Sequence, residues 1–155
     1  MGVSSLFEGI ELRGTLPDIP IVVLSSGMSG QAEEFITHRL TPVVCSWEMV
    51  NALTEVARSK GIRAPIHIKI DTGMGRIGVW HERADEFVRD VFRIPELIVD
   101  GVCSHFATAD EEDLAFALKQ LSWFSAFLDK IQDLPIPYRH ISNTGAVSYT
   151  HLTLP

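Results

Sequence analysis

The chain has 155 residues, 46% of them hydrophobic and 21% charged, a composition that supports one folded domain with a real core and excludes a disordered chain. Its formal net charge of −7 argues against a surface that tracks nucleic-acid phosphates, which needs clustered Lys and Arg; a small anionic ligand held by a few donors remains open. No apolar run is long enough to span a bilayer, no leader segment is visible, and Cys45 and Cys103 lack metal or disulfide spacing. A cytoplasmic protein with reduced thiols is expected.

In chain order, Ser4–Arg13 has helical character and Ile21–Leu24 and Pro42–Cys45 read as short β-branched strands. Ser46–Lys60 is the clearest helix: Met49, Val50, Leu53, Val56 and Ala57 share a face, Ser46 is a candidate N-cap, and Gly61 is a stop. Ala64–Asp71 is a strand, Glu82–Phe92 a helix and Leu97–His105 a strand. Glu111–Gln132 is a long amphipathic helix whose apolar positions are Leu114, Leu118, Leu121, Phe124, Phe127, Leu128 and Ile131, with Trp123 also assigned to the core. The carboxylates of Asp110-Glu111-Glu112-Asp113 are read as favourable charges at its N-terminus rather than metal ligands. Arg139–Asn143 is a fifth strand, and the tail VSYTHLTLP shows no helical period.

Strands alternating with helices predict right-handed βαβ units and a parallel sheet. In Ile66-His67-Ile68-Lys69-Ile70-Asp71 the isoleucines face one way and the ionisable side chains the other. A central strand of an open doubly wound sheet is apolar on both faces, whereas a barrel strand near its catalytic end carries polar groups inward. The expected fold is therefore an incomplete (β/α)8 barrel of about five βα units, since a whole barrel takes about 250 residues.

Residues 67–80 read HIKIDTGMGRIGVW, and Gly73–Gly78 fits the G-x-G-x-x-G pattern of a dinucleotide loop. That reading needs a helix opening inside the motif and an acidic residue about 20 positions later. Asp100 has the position, but the helical pattern starts only near Glu82. The convergence of His67, Lys69, Asp71 and Arg76 at one strand end points to another chemistry.

HIKIDTGMGRIGV closely resembles the signature of alanine racemases. The segment Ser5–Arg13 with Pro20–Leu24, the run SHFATAD at 104–110 and the run HISNT at 140–144 resemble further motifs of that family in the same order. The resemblance implies a pyridoxal-phosphate enzyme on a (β/α)8 barrel, acting as a homodimer that interconverts L- and D-alanine and so supplies D-alanine for peptidoglycan. It implies that Arg76 contacts the cofactor's phenolic oxygen and the substrate carboxylate. Lys69 matches a lysine that is carbamylated in some members, where the carbamate holds that arginine. The alternative for Lys69 is an ammonium paired with Asp71 or another carboxylate. His105 is implied beside the cofactor ring in a hydrogen-bond network, and His140 as the orienter of an arginine at the pyridine nitrogen. Thr144 stands where the family commonly has serine for the cofactor phosphate. Asn143 falls in the same cofactor-binding motif or simply caps the following turn.

The resemblance covers residues 1–146, and the tail 147–155 resembles a translated adapter read-through. The family's cofactor lysine would lie before Met1, and its opposite base, a tyrosine of the partner's C-terminal domain, beyond Pro155. None of Lys60, Lys69, Lys119 and Lys130 stands in the cofactor-lysine motif, so these residues alone are expected to be an inactive fragment. A serine or broad-specificity amino-acid racemase shares the same motifs and is the alternative, ahead of a dinucleotide-binding module.

Overall fold

A computed structural model describes the backbone of residues 1–151 and the side chains of residues 1–147; residues 152–155 of the predicted tail lie outside it. The elements are β1 (Gly2–Val3), α1 (Leu6–Thr15), β2 (Val22–Ser26), a 3-10 turn (Ser29–Gln31), α2 (Ala32–Thr37), β3 (Thr41–Val44), α3 (Trp47–Lys60) and β4 (Ala64–Asp71). They continue with β5 (Val79–Trp80), α4 (Ala84–Phe92), β6 (Leu97–His105), α5 (Ala115–Lys130), β7 (Tyr138–Ser142) and α6 (Thr144–His151).

All strand pairs are parallel, in the order β1-β2-β3-β4-β6-β7, with the two-residue β5 set against the end of β4. Each new strand joins the same flank, so the order never reverses. A doubly wound nucleotide fold has such a reversal, and its ligand sits there. The progression here is that of a barrel wall, and the chain forms an incomplete α/β barrel with two strands, β1 and β5, beyond the five the sequence pattern indicated. Each has two residues, too few to carry a periodic signal.

Local chemistry sets the helix ends. Ser5 and Glu8 form a reciprocal capping box on α1. Ser46 Oγ accepts from the Met49 N–H at 3.4 Å, and Gly61 closes α3 at φ 64°. The helix α2 had no periodic signature in the sequence; it is held by Ala32 and Phe35, both buried. The acidic run at 110–113 precedes α5 rather than forming its first turn, with Asp113 accepting from the Ala115 N–H at 2.9 Å. On α5, Phe124 and Phe127 are buried as expected, but beside Ala117 and Gln120, while Leu114, Leu118 and Leu121 are exposed. Trp123 is only partly buried. Residues 144–151, expected without helical period from 147 onward, form α6 behind Asn143, whose Oδ1 accepts from the Ala146 N–H at 2.9 Å.

The outer face of the sheet, with Ile66, Ile68 and Ile70, packs under α3, α4 and α5 through Leu53, Val88, Phe124 and Phe127. The other face is also buried. His67 is 4% exposed and Lys69 8%, because this face lines the barrel interior. The strand register stacks that interior in layers: His67, Gly101 and Tyr138 occupy one, and Lys69, Cys103 and His140 the next towards the C-terminal ends.

Candidate active site

At the C-terminal ends of the strands lies a cavity of about 780 Å³, lined in part by Lys69, Arg76, His105, His140, Asn143 and Thr144. The six residues singled out in the sequence thus meet in one place. Barrel strands deliver side chains of alternate register to a common rim, so residues up to 75 positions apart converge. Among the described residues the lining includes Arg76, Lys69 and two histidines but no carboxylate, in a chain whose net charge is −7.

Arg76 reaches the rim on the loop between β4 and β5. Asp71 builds that loop: its carboxylate accepts from the Gly73 N–H at 2.9 Å and from the Gly75 N–H at 3.1 Å. At Gly78, with φ 136°, a Cβ would sit 2.6 Å from the backbone nitrogen of Asp71, so only glycine lets the chain fold back this closely. On the outer side, His81 stacks on Trp123 of α5 at 4.8 Å, and a Cβ on Gly73 would meet Phe116 at 2.9 Å. The loop is therefore braced at both ends, while Arg76 itself is exposed and makes no hydrogen bond or ion pair among the described residues. The strand β5 follows the glycines where a dinucleotide loop needs a helix N-terminus, and α4 begins only at Ala84.

Lys69 makes no ion pair among the described residues, and Asp71 is committed to the loop, so the alternative of an ammonium paired with Asp71 is not the arrangement found. Burial pushes the Lys69 pKa down; Cys103 opposes the shift and Arg76 adds to it. Burial lowers His105 as well, helped by Lys69 and Arg76. His140 is lowered by burial and then by Lys69. The Cys103 thiol, beside Lys69 in the register, is pushed by burial up to about 11. Asn143 caps α6 and donates through Nδ2 to the Phe106 carbonyl at 3.3 Å, and Thr144 opens the helix.

His67, on the ionisable face of β4, joins the site's neighbourhood through β7. Its Nδ1 lies 3.4 Å from Nε2 of His140, and its ring stacks on Tyr138 at 6.0 Å. Gly101 makes this possible: a Cβ there would stand 2.6 Å from the imidazole. Burial, then the neighbouring His140, push the His67 pKa down to about 4. The alternating pattern of β4 contained the signal for His67; its vertical contact with β7 did not exist until the sheet was assembled.

Among the lining residues, Arg76, Lys69 and Thr144 at the start of α6 are those whose chemistry could hold an anionic cofactor group.

The family profile described as alanine racemase, N-terminal domain, matches residues 1–153. An alanine racemase of Carboxydothermus hydrogenoformans is 35% identical over 147 residues, covering 94% of this chain and 40% of that protein. Among solved structures, the alanine racemase of Clostridium difficile 630 in complex with cycloserine superposes with a TM-score of 0.89 at 32% identity, over 94% of this chain and 41% of that one. A histidine racemase of Leuconostoc mesenteroides subsp. sake gives a TM-score of 0.80 at 27% identity, over 93% of this chain and 39% of that one. The chain thus spans about two fifths of the length of the proteins it matches. With its singly wound sheet and its three motifs meeting at one rim, this chain belongs to the alanine racemase N-terminal domain family.

Proposed function

We propose that these residues form the barrel part of a cytoplasmic, homodimeric alanine racemase that uses pyridoxal phosphate and supplies D-alanine for the cell wall. The observation that supports this reading is the cavity at the strand ends, with Arg76 on its rim and no carboxylate among the described lining residues, framed by family motifs on β4, β6 and β7. Racemisation removes the α-proton of an amino acid and returns one on the opposite face. Pyridoxal phosphate, when bound, supplies the electron sink for the charge left by proton removal.

The chain's own residues bind and orient. Arg76 presents a guanidinium free of internal partners to the cavity, suited to a substrate carboxylate and to the phenolic oxygen of the cofactor at once. An ammonium at Lys69 would repel Arg76. The depressed pKa of Lys69 favours the neutral amine that carbamylation requires, and a carbamate there would hold the guanidinium. His105 and His140, neutral at pH 7, contribute directional hydrogen bonds rather than charge. Thr144 and Asn143 set the first turn of α6 for the phosphate. The lysine base and the opposing tyrosine are assigned to parts of the enzyme outside these residues.

The test is a chimera in which residues 1–146 replace the matching segment of the Carboxydothermus relative. It should racemise alanine with added pyridoxal phosphate, and Arg76→Lys should lower its kcat/KM by about tenfold or more, through loss of paired donors. A folded chimera that binds the cofactor yet turns over no amino acid sinks the reading. The 155 residues alone should show no turnover above blank, and pyridoxal phosphate, not NAD, should quench their tryptophans. A second reading, a racemase of other or broader specificity, is favoured by the likeness to the Leuconostoc histidine racemase; the chimera's substrate profile separates the two.

A further inference from the structure

We propose that Gln120 of α5 is a positioning residue for the cavity, fixing the ends of β4 and β6 relative to each other so that Arg76 and His105 face the same ligand. Its side chain is fully buried, at 0% exposure, in an otherwise apolar stripe with Ala117, Phe124 and Phe127. Placing an amide there is costly unless every polar atom is paired. Every one is. Oε1 accepts from the Ala107 N–H at 2.8 Å, while Nε2 donates to the His105 carbonyl at 3.1 Å and to Thr72 Oγ1 at 3.3 Å.

The bonding continues inward with a single direction. Ser104 Oγ donates its one proton to the Ile70 carbonyl at 2.8 Å. In the 2.8 Å contact between Thr72 and Ser104, Thr72 must therefore be the donor. The chain runs Gln120, Thr72, Ser104, Ile70, so each hydroxyl both accepts and donates. It bridges Ile70 at the end of β4 and Thr72 at the start of the loop that carries Arg76 to Ser104 and His105 at the end of β6. Asp71 and Gly78 shape the loop from within, and His81 braces it against α5, whereas this chain of bonds ties it to the end of β6. The ladder does not reach this far: the β4–β6 pairing ends at Lys69 and Cys103.

The kinetic arm of the test rests on the racemase reading; the structural arm does not. Gln120→Met keeps the length and apolar packing but removes all three contacts. In the 155-residue chain it should speed amide exchange at Ala107 by about tenfold, while exchange in the middle of α5 stays slow. In the racemase chimera it should lower kcat/KM per cofactor-loaded site by about 10–100-fold, as displaced binding groups do. Thr72→Val should lower it in the same sense and Thr72→Ser should restore it, because only the hydroxyl matters. A folded Gln120→Met with unchanged Ala107 exchange overturns the inference, as does one that lowers Tm yet leaves kcat and KM intact. Should the unmutated chimera fail to racemise, the functional reading fails, and Ala107 exchange with the Thr72 pair still decides the role of Gln120.

Discussion

At the scale of single residues, the interior of the barrel works by withholding charge. His67 is buried against Tyr138 and shares a contact with His140, and its pKa lies near 4 instead of 6.5. The folded state therefore binds fewer protons than the unfolded state between these values. Stability contributed by neutral His67 is fully present above about pH 6.5 and is lost as pH falls towards 4, at a rate of at most about 1.4 kcal/mol per pH unit from this group. Urea unfolding across that window should be less pH-dependent in His67→Phe, which keeps a flat ring over Gly101 but cannot titrate. Equal slopes for the two proteins would refute the assignment. Much of this was readable from sequence: alternation along β4 put His67, Lys69 and Asp71 on one face. What was not readable was the partner of each, and Asp71 turned from Lys69 to the Gly73 and Gly75 amides because a two-residue reach closes more easily than a lateral one.

At the scale of elements, close approach decides more than propensity. Gly101 sits in an unremarkable strand conformation, so its role is space, not φ; the imidazole of His67 occupies what would be its side-chain volume. Gly101→Ala should destabilise the protein by about 1–3 kcal/mol through overpacking, and His67→Ala in the same chain should recover part of that loss. Thermal unfolding of the four proteins of the cycle checks this, and simple additivity would contradict it. The helix α5 shows the matching limit of periodicity. Positions 114, 118 and 121 and positions 117, 120, 124 and 127 both have helical spacing, and the expected face joined the leucines to Phe124 and Phe127. Burial instead takes Gln120 inward, since its amide finds three partners, and leaves the leucines outward.

At the scale of the whole molecule, the sheet ends on both sides. Among the described residues β1 and β7 are each paired along one flank only, and Tyr138 on β7 is 57% exposed. Open strand edges recruit other strands. The outward leucines of α5, with Leu118 at 62% exposure, add an apolar stripe. The 155-residue chain should therefore sediment at micromolar concentration as species larger than its 17.2 kDa monomer. Leu118→Lys should reduce that association while changing stability by no more than about 0.5 kcal/mol. A clean monomer in sedimentation equilibrium would contradict the prediction.

The alternation of strand and helix, the inward polar face of β4 and the three motifs that locate the rim are legible in the residues alone, because they depend on period and on short spacings along the chain. So are the cap at Ser46 and the stop at Gly61, both local events. Only the tertiary structure decided that His67 meets His140, that Gly101 yields its volume to a ring, and that Gln120 ties two strand ends together. Those contacts join residues 15 to 73 positions apart, and their energy depends on distances that no local pattern fixes.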